Sequence, residues 1–126
     1  MNGAAEYAIR LQANQQGAVV KNNAVYDHGN SSNPYVRVEA GATNVDIGFN
    51  SVSKSNGVAP AGSPYPGDLW MVNPMFVNFA GCDFHLQPAS PLANRGATLS
   101  DVTNDLDGVF RPQSNLFDIG AFEFIP

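Results

Sequence analysis

The 126-residue sequence contains little charge and little cysteine. Charged residues make up 13% of the chain, compared with about 25% in typical soluble domains. The single cysteine, Cys82, excludes both an intrachain disulfide and a multi-cysteine metal site. No apolar run reaches the roughly 18 residues that a transmembrane helix requires. We therefore expect a single domain without a membrane span.

Basic residues are scarce as well. The chain has 6 Lys and Arg against 11 Asp and Glu, which gives a net charge of −5. Nucleic acid is excluded as a partner because neutralising its phosphates requires a basic surface. The N-terminus lacks the basic and apolar segments of a secretion signal. If the parent protein is exported, we expect that signal to lie outside this chain.

What the sequence does contain is a repeat. Residues 9–28 align without a gap on residues 36–55, and apolar positions coincide in the two units, for example Ile9 with Val36 and Val20 with Ile47. Each unit contains three short stretches with the alternation of a β-strand. These stretches are 9–12, 18–21 and 24–27 in the first unit, and 36–39, 45–48 and 51–54 in the second.

Three strands per short repeat, with no helical period between them, are typical of a parallel β-solenoid. We predict an all-β, right-handed parallel β-helix of about three coils with a C-terminal cap, in which Ile9 stacks over Val36 and Val20 over Ile47. The single domain would comprise a lead or cap over 1–8, repeated coils and a loop over 9–62, and the last coil and cap over 63–126.

Residues 68–124 carry five short motifs in a fixed order. They are NPMFV at 73–77, DFHLQP at 83–88, SPLA at 90–93, DLDG at 105–108 with Arg111-Pro112, and DIGAFEF at 118–124. This region resembles the C-terminal end of bacterial right-handed parallel β-helix proteins, including those with a choice-of-anchor Q domain. The resemblance implies a last coil ending in a strand over 118–124, and an extracellular or cell-surface location.

Side chains on the first strand of each unit are candidates for carbohydrate binding. Alternation turns Arg10 and Gln12 outward, and Arg37 and Glu39 repeat that orientation. Because adjacent strands lie about 4.8 Å apart, Arg10 and Arg37 would form a guanidinium ladder that could pair with an acidic sugar. Tyr26 and His28 add a polar cluster at the end of the third strand. The alternative is a merely solvated surface.

The same residues allow an enzymatic alternative. The resemblance extends to polysaccharide lyases, which need a charge neutraliser, a base and an acid. Available side chains of those types are Lys21, Tyr26, His28, Arg10 and Arg37. No lyase motif aligns on them, so the catalytic residues stay unknown. We expect a non-catalytic module that contacts polysaccharide, with a fragment of a lyase or glycoside hydrolase, or a structural assembly module, as alternatives.

Two further features carry hypotheses. The segment DVTNDLDG supplies hard oxygen ligands for calcium at Asp101, Asn104, Asp105 and Asp107. The alternatives are that the segment forms a turn, or that Asp105 and Asp107 form an acid pair for glycoside hydrolysis.

The first coil has little aromatic cover, so its apolar side chains would lie at an open end and pair two copies into a homo-oligomer. Those side chains are Ile9, Leu11, Ala18, Val20 and Val25.

Overall fold

The computed structural model describes residues 7–29 and 32–126, and within them the chain is all-β apart from one 3₁₀ turn, Phe79–Gly81. Its strands are short because turn-forming residues interrupt the apolar alternation every few positions. In chain order they are β1 (Ile9–Leu11), β2 (Val19–Lys21), β3 (Ala24–Tyr26), β4 (Val36–Val38), β5 (Asp46–Gly48), β6 (Ser51–Ser53), β7 (Leu69–Trp70), β8 (Phe76–Asn78) and β9 (Asp83–Leu86).

The strands form four small sheets, and the repeat sets three of them. Parallel pairs join β1 to β4 and β2 to β5, a parallel three-stranded sheet has the order β3-β6-β7, and β8 and β9 form an antiparallel hairpin. Ile9 lies opposite Val36 and Val20 opposite Ile47. The repeat alignment therefore predicted this pairing correctly, and all six repeat strands lie within one residue of their expected bounds.

The prediction of a right-handed parallel β-helix of about three coils is wrong. In the described part of the chain, each of the three parallel sheets contains one strand from each repeat, and no further segment adds a strand to all three. Beyond β6 the one further parallel strand is β7, which has two residues, and the chain then turns back as the β8–β9 hairpin. The fold is therefore a set of separate sheets of two or three strands. Residues 118–124 do not form the expected strand either.

Aliphatic side chains from the two repeats form the main core. Leu11, Val20 and Val25 are buried against side chains of the second unit, so the expectation that they lie uncovered at an open end is wrong. A smaller core contains Leu86, Leu92 and Ile119. The prediction of a homo-oligomer was based on an exposed apolar end, and Leu11, Val20 and Val25 are buried instead. The oligomeric state itself stays a prediction.

A buried asparagine ties the two repeats together at a corner. Asn50 is fully buried, and its Nδ2 donates to the carbonyl oxygens of Val20, at 3.0 Å, and Gly48, at 3.1 Å. Its Oδ1 accepts from the backbone N–H of Asn23 at 3.0 Å and from the Asn23 amide at 2.9 Å. Such an amide replaces ladder hydrogen bonds where the chain turns between strands.

The C-terminal tail is attached to the corner between β2 and β3. The Asn22 side chain accepts from the Ala97 N–H at 2.7 Å and donates to the Ala97 carbonyl at 2.8 Å. Gly120 N–H donates to the Asn22 carbonyl at 2.8 Å. Gly96 must be glycine here, because a Cβ would lie 2.9 Å from Asn22 Oδ1 and from the Phe117 carbonyl oxygen. The tail thereby lies against β3.

Buried charges hold the irregular tail in shape. Asp118 accepts backbone N–H groups of Asn94 at 2.7 Å and Phe124 at 2.6 Å. Glu123 pairs with Arg111 at 3.3 Å and accepts the Asp118 N–H at 2.9 Å. Burial raises the pKa of the Glu123 carboxyl. These groups satisfy backbone donors that a strand would otherwise pair. No helix in the described residues has the length and apolarity to cross a bilayer.

The two faces of β2 provide a test of the core. Val20 is 5% exposed and Val19 is 58% exposed. We expect Val20→Lys to lower the free energy of unfolding by at least about 3 kcal/mol, since it places an unpaired charge among aliphatic side chains. Val19→Lys is the matched control, because it faces solvent opposite Asp46. Urea denaturation followed by circular dichroism measures both, and equal stability of the two variants would contradict the assigned register.

Candidate functional site

An open groove lies between β3, the β8–β9 hairpin and the tail. Its volume is about 500 Å³, which is within the usual range of ligand sites. Aromatic side chains form the largest group in the lining, and two asparagines, an alanine of β3 and two residues of the tail supply the rest. The lining residues are Asn22, Asn23, Ala24, Tyr26, Phe76, Phe79, Phe84, Gly120 and Ala121.

The four aromatic rings contact one another, and both arrangements are favourable for aromatic side chains: Phe76 and Phe79 are stacked, and the other contacts are edge to face. Ring centroids of Tyr26 and Phe79 are 4.6 Å apart, and those of Phe76 and Phe84 are 5.5 Å apart. Despite these contacts, Phe79 remains 45% exposed and Phe84 39% exposed. The rings are thus fixed in position and still present apolar surface to solvent.

The turn between β8 and β9 sets the position of Phe79. Asn78 caps the 3₁₀ turn by accepting the Gly81 N–H at 3.0 Å. A Cβ at position 81 would lie 2.6 Å from Asn78 Nδ2, so a larger residue there would displace the capping side chain. Cys82 closes the turn with a left-handed backbone, φ +60°, and its side chain is exposed. The local sequence therefore folds the hairpin tightly enough to turn Phe79 toward β3.

The described residues that line the groove carry no formal charge. Its polar groups are the amides of Asn22 and Asn23 and the phenol of Tyr26. Asn22 is held by Ala97, and Asn23 donates to the Lys21 carbonyl at 3.0 Å. The groove is therefore an apolar surface with fixed, neutral hydrogen-bonding groups at its edge.

Directly behind the groove, His85 contacts two carboxylates. Its Nδ1 lies 2.6 Å from Asp83 Oδ1, and its Nε2 lies 2.8 Å from Asp107 Oδ2. The imidazole also stacks on Phe122, with ring centroids 4.0 Å apart. The hydrogen bonds to Asp107 and then Asp83 raise the pKa of His85. The hydrogen bond to His85 in turn lowers the pKa of Asp83.

The predicted arginine ladder is present in the backbone but is neutralised. Arg10 lies opposite Arg37 in the β1–β4 pair. Arg10, however, donates Nε to Glu39 Oε1 at 2.7 Å and also bonds it through Nη2. That hydrogen bond lowers the pKa of the Glu39 carboxyl. Gln12 is exposed nearby. The outward side chains of β1 and β4 therefore form the Arg10–Glu39 ion pair, with Arg37 as one further arginine beside it.

The other carbohydrate-binding candidates lie apart. Tyr26 lines the groove, whereas the His28 ring is partly buried, which lowers its pKa. Lys54 donates to the His28 carbonyl at 2.7 Å and holds that segment against β6. Lys21 pairs with Asp46 at 2.6 Å on another sheet. The structure thus does not bring together the basic and phenolic groups that a lyase mechanism would use.

The calcium candidates form a turn whose oxygens have protein partners. Asp105 Oδ1 accepts the N–H groups of Asp107 at 2.9 Å and Val109 at 2.8 Å, and Oδ2 accepts the Glu123 N–H at 2.8 Å. Asn104 donates to the Gly108 carbonyl at 2.8 Å, and Asp101 is exposed. Among residues 7–29 and 32–126, no group of three His, Cys, Asp or Glu side chains is arranged to hold a metal ion. Of the interpretations offered for this segment, the hydrogen bonds therefore favour a structural turn.

Sequence reasoning missed the residues that define the groove. Neither Phe76, Phe79 and Phe84 as a binding surface nor His85 as a partner of carboxylates was identified from the sequence. Asp83 and His85 are two residues apart on one strand, so their side chains share a face. That spacing was a signal for the carboxylate–imidazole contact. Nothing in the local sequence indicated Asp107 as the second partner.

Comparisons of the chain with protein-family models, with curated proteins and with solved structures find no match. The resemblance of residues 68–124 to the ends of β-helix proteins accordingly stays a prediction. The features of this chain that bear on its function are therefore the groove and the charge distribution.

The arginine ladder can be tested by removing its counter-ion. We expect Glu39→Gln to bind a polyuronate hexasaccharide at least about threefold more tightly than the unmodified chain, because Arg10 becomes available beside Arg37. The gain should fall with added salt. Titration calorimetry at low salt measures it.

Asp46→Asn is the matched control for that experiment, since it adds the same charge and frees only Lys21, which lies opposite Gly48. Equal binding by the unmodified chain and Glu39→Gln would show that Glu39 does not block the ladder.

Proposed function

We propose that this chain is a non-catalytic carbohydrate-binding module and that its ligand is a neutral glycan held in the aromatic groove. The observation that carries the proposal is an open groove whose lining combines four aromatic rings with no charged side chain. An extracellular or cell-surface location, as the sequence resemblance implies, is consistent with such a ligand and forms part of the proposal.

The chemistry of a sugar ring fits this lining. A pyranose presents C–H groups on its faces and hydroxyl groups at its rim. The C–H faces gain dispersion and hydrophobic contact on aromatic rings, while the hydroxyls need amide or phenol partners at the edge. Phe79 and Phe84 supply exposed ring surface, and Asn23 and Tyr26 supply polar groups beside it.

Charge favours a neutral ligand over an acidic one. The chain carries a net charge of −5, which disfavours association with polyanions. Arg10 is paired with Glu39 and Lys21 with Asp46. Neither base belongs to the groove lining. The acidic glycan expected from the arginine row is therefore a weaker hypothesis than a neutral one.

The lining also favours binding over catalysis. Hydrolysis of a glycosidic bond usually requires a pair of carboxyl groups beside the scissile bond. Among the described residues of the lining, the one titratable side chain is the phenol of Tyr26. We accordingly propose recognition of a polysaccharide by this surface and assign no reaction to it.

Titration calorimetry with neutral hexasaccharides of β-linked glucose, xylose and mannose tests the proposal. We expect at least one to bind, and we expect Phe79→Ala and Phe84→Ala each to weaken binding at least about tenfold, since each removes a ring that stacks on the sugar. Both rings are partly exposed, so their loss should leave the fold intact.

Phe110→Ala is the matched control. Phe110 is 72% exposed and does not belong to the groove lining, so this variant should bind like the unmodified chain. If none of the neutral sugars binds, or if all three Phe→Ala variants lose binding equally, the assignment of the groove is wrong.

A further inference from the structure

The geometry points to His85 as the positioning residue that joins two walls of the groove, so that protonation of its imidazole closes the groove and deprotonation loosens it. This inference rests on the proposed function for its biological meaning, because it concerns regulation of that same site. The contact itself belongs to the free protein and can be tested without any sugar.

His85 sits between the two walls. On β9 it follows Phe84, a lining residue of the hairpin wall, and its own side chain contacts the tail. Its stacking partner Phe122 follows Ala121, a lining residue of the tail wall. The imidazole therefore connects the backbone that carries Phe84 to the tail, one residue behind the groove lining on each side. Asp83 lies on β9 with His85, so the proton-dependent link between the walls is the Asp107 contact, and Leu106 N–H next to Asp107 donates to the Ala121 carbonyl oxygen at 3.0 Å.

The number of protons on the ring decides how many carboxylates it can hold. An imidazolium donates from both nitrogens, so it can bond Asp83 and Asp107 at once. A neutral imidazole has a single N–H, and its other nitrogen then presents a lone pair to a carboxylate oxygen less than 3 Å away. One of the two contacts, at 2.6 and 2.8 Å, must then open.

Among the described residues, the charged groups near the ring are acidic, apart from Arg111, which is paired. Asp83 on β9 and Asp107 in the 101–110 turn contact the ring, and Asp105 and Glu123 line the same pocket. Desolvation alone would raise the pKa of Asp105, but three backbone N–H donors outweigh it and lower the net value. Arg111 is occupied by Glu123. These surroundings favour the charged imidazolium.

The raised pKa of His85 determines how the contact between the imidazole and the two carboxylates depends on pH. The pKa of His85 in the folded chain lies above its ordinary value of 6.5, mainly through the hydrogen bond to Asp107. The contact is therefore fully formed below pH 6.5 and is lost as the pH rises through the folded-state pKa. Acid should close the groove and alkali should loosen it.

A nuclear magnetic resonance titration of the free protein between pH 5.5 and 8.5, with a chelator present, tests the contact. We expect the backbone amides of Phe84 and Ala121 to shift with the midpoint of the His85 ring, and Val52, in the main core, to stay unchanged. His85→Gln keeps a donor but cannot be protonated, so it should abolish the shift. Asp107→Asn should lower the midpoint and provides a second variant if His85→Gln does not fold.

Binding provides the second measurement. The hexasaccharide that binds best should bind at least about threefold more weakly at pH 8.5 than at pH 5.5. His85→Gln should be weak at both values. His85→Arg, which can donate to both carboxylates at every pH, should restore tight binding and remove the pH dependence.

The possible outcomes separate the two proposals. If the amides of Phe84 and Ala121 do not follow the imidazole titration, or if His85→Gln keeps the pH dependence, His85 does not join the walls and the inference is wrong. If the amides follow it and no sugar binds, the contact is established and the neutral-glycan proposal fails. If sugar binds equally at both pH values in the unmodified chain, the regulatory role is refuted and the binding function stands.

Discussion

The structure depends on the in-register parallel pairing of two sequence repeats. Because side chains alternate along a strand, a slip of one residue would move Val20 to the surface and Val19 into the core. Asn50 reinforces the correct register, since its amide fits the corner only when Val20 and Asn23 lie beside it. The strands have only two to four residues, so aliphatic packing and this buried amide supply specificity that short ladders alone lack.

The groove is a consequence of where the tail attaches. Asn22 holds Ala97 and Gly120 against the corner of the first repeat, and the β8–β9 hairpin contacts β3 through Tyr26 and Phe79. The tail therefore does not extend the sheets. It lies beside them and leaves a space between three elements, and partly exposed aromatic rings are prominent in the lining of that space.

Several charged side chains of this chain stabilise its fold, through hydrogen bonds to backbone N–H groups or through ion pairs. Asp105, Asp118 and Glu123 accept backbone N–H groups of an irregular tail, and the basic side chains of the first repeat pair with Glu39 and Asp46. The described residues that line the groove carry no formal charge. His85 is different, because its side chain contacts two carboxylates, Asp83 on its own strand and Asp107 in the 101–110 turn, and its protonation state determines whether it can donate to both.

The sequence by itself determined the β class, the repeat and the pairing of Ile9 with Val36, since apolar alternation encodes strand faces locally. It also placed Arg10 outward and Leu11 inward. Only the tertiary structure decided that the sheets stay small, because β7, with two residues, is the one parallel strand that the described chain adds after β6. Contacts such as Tyr26 with Phe79 and His85 with Asp107 link residues far apart in the chain. No local pattern specifies them, since their geometry arises only when the tail folds back on the first repeat.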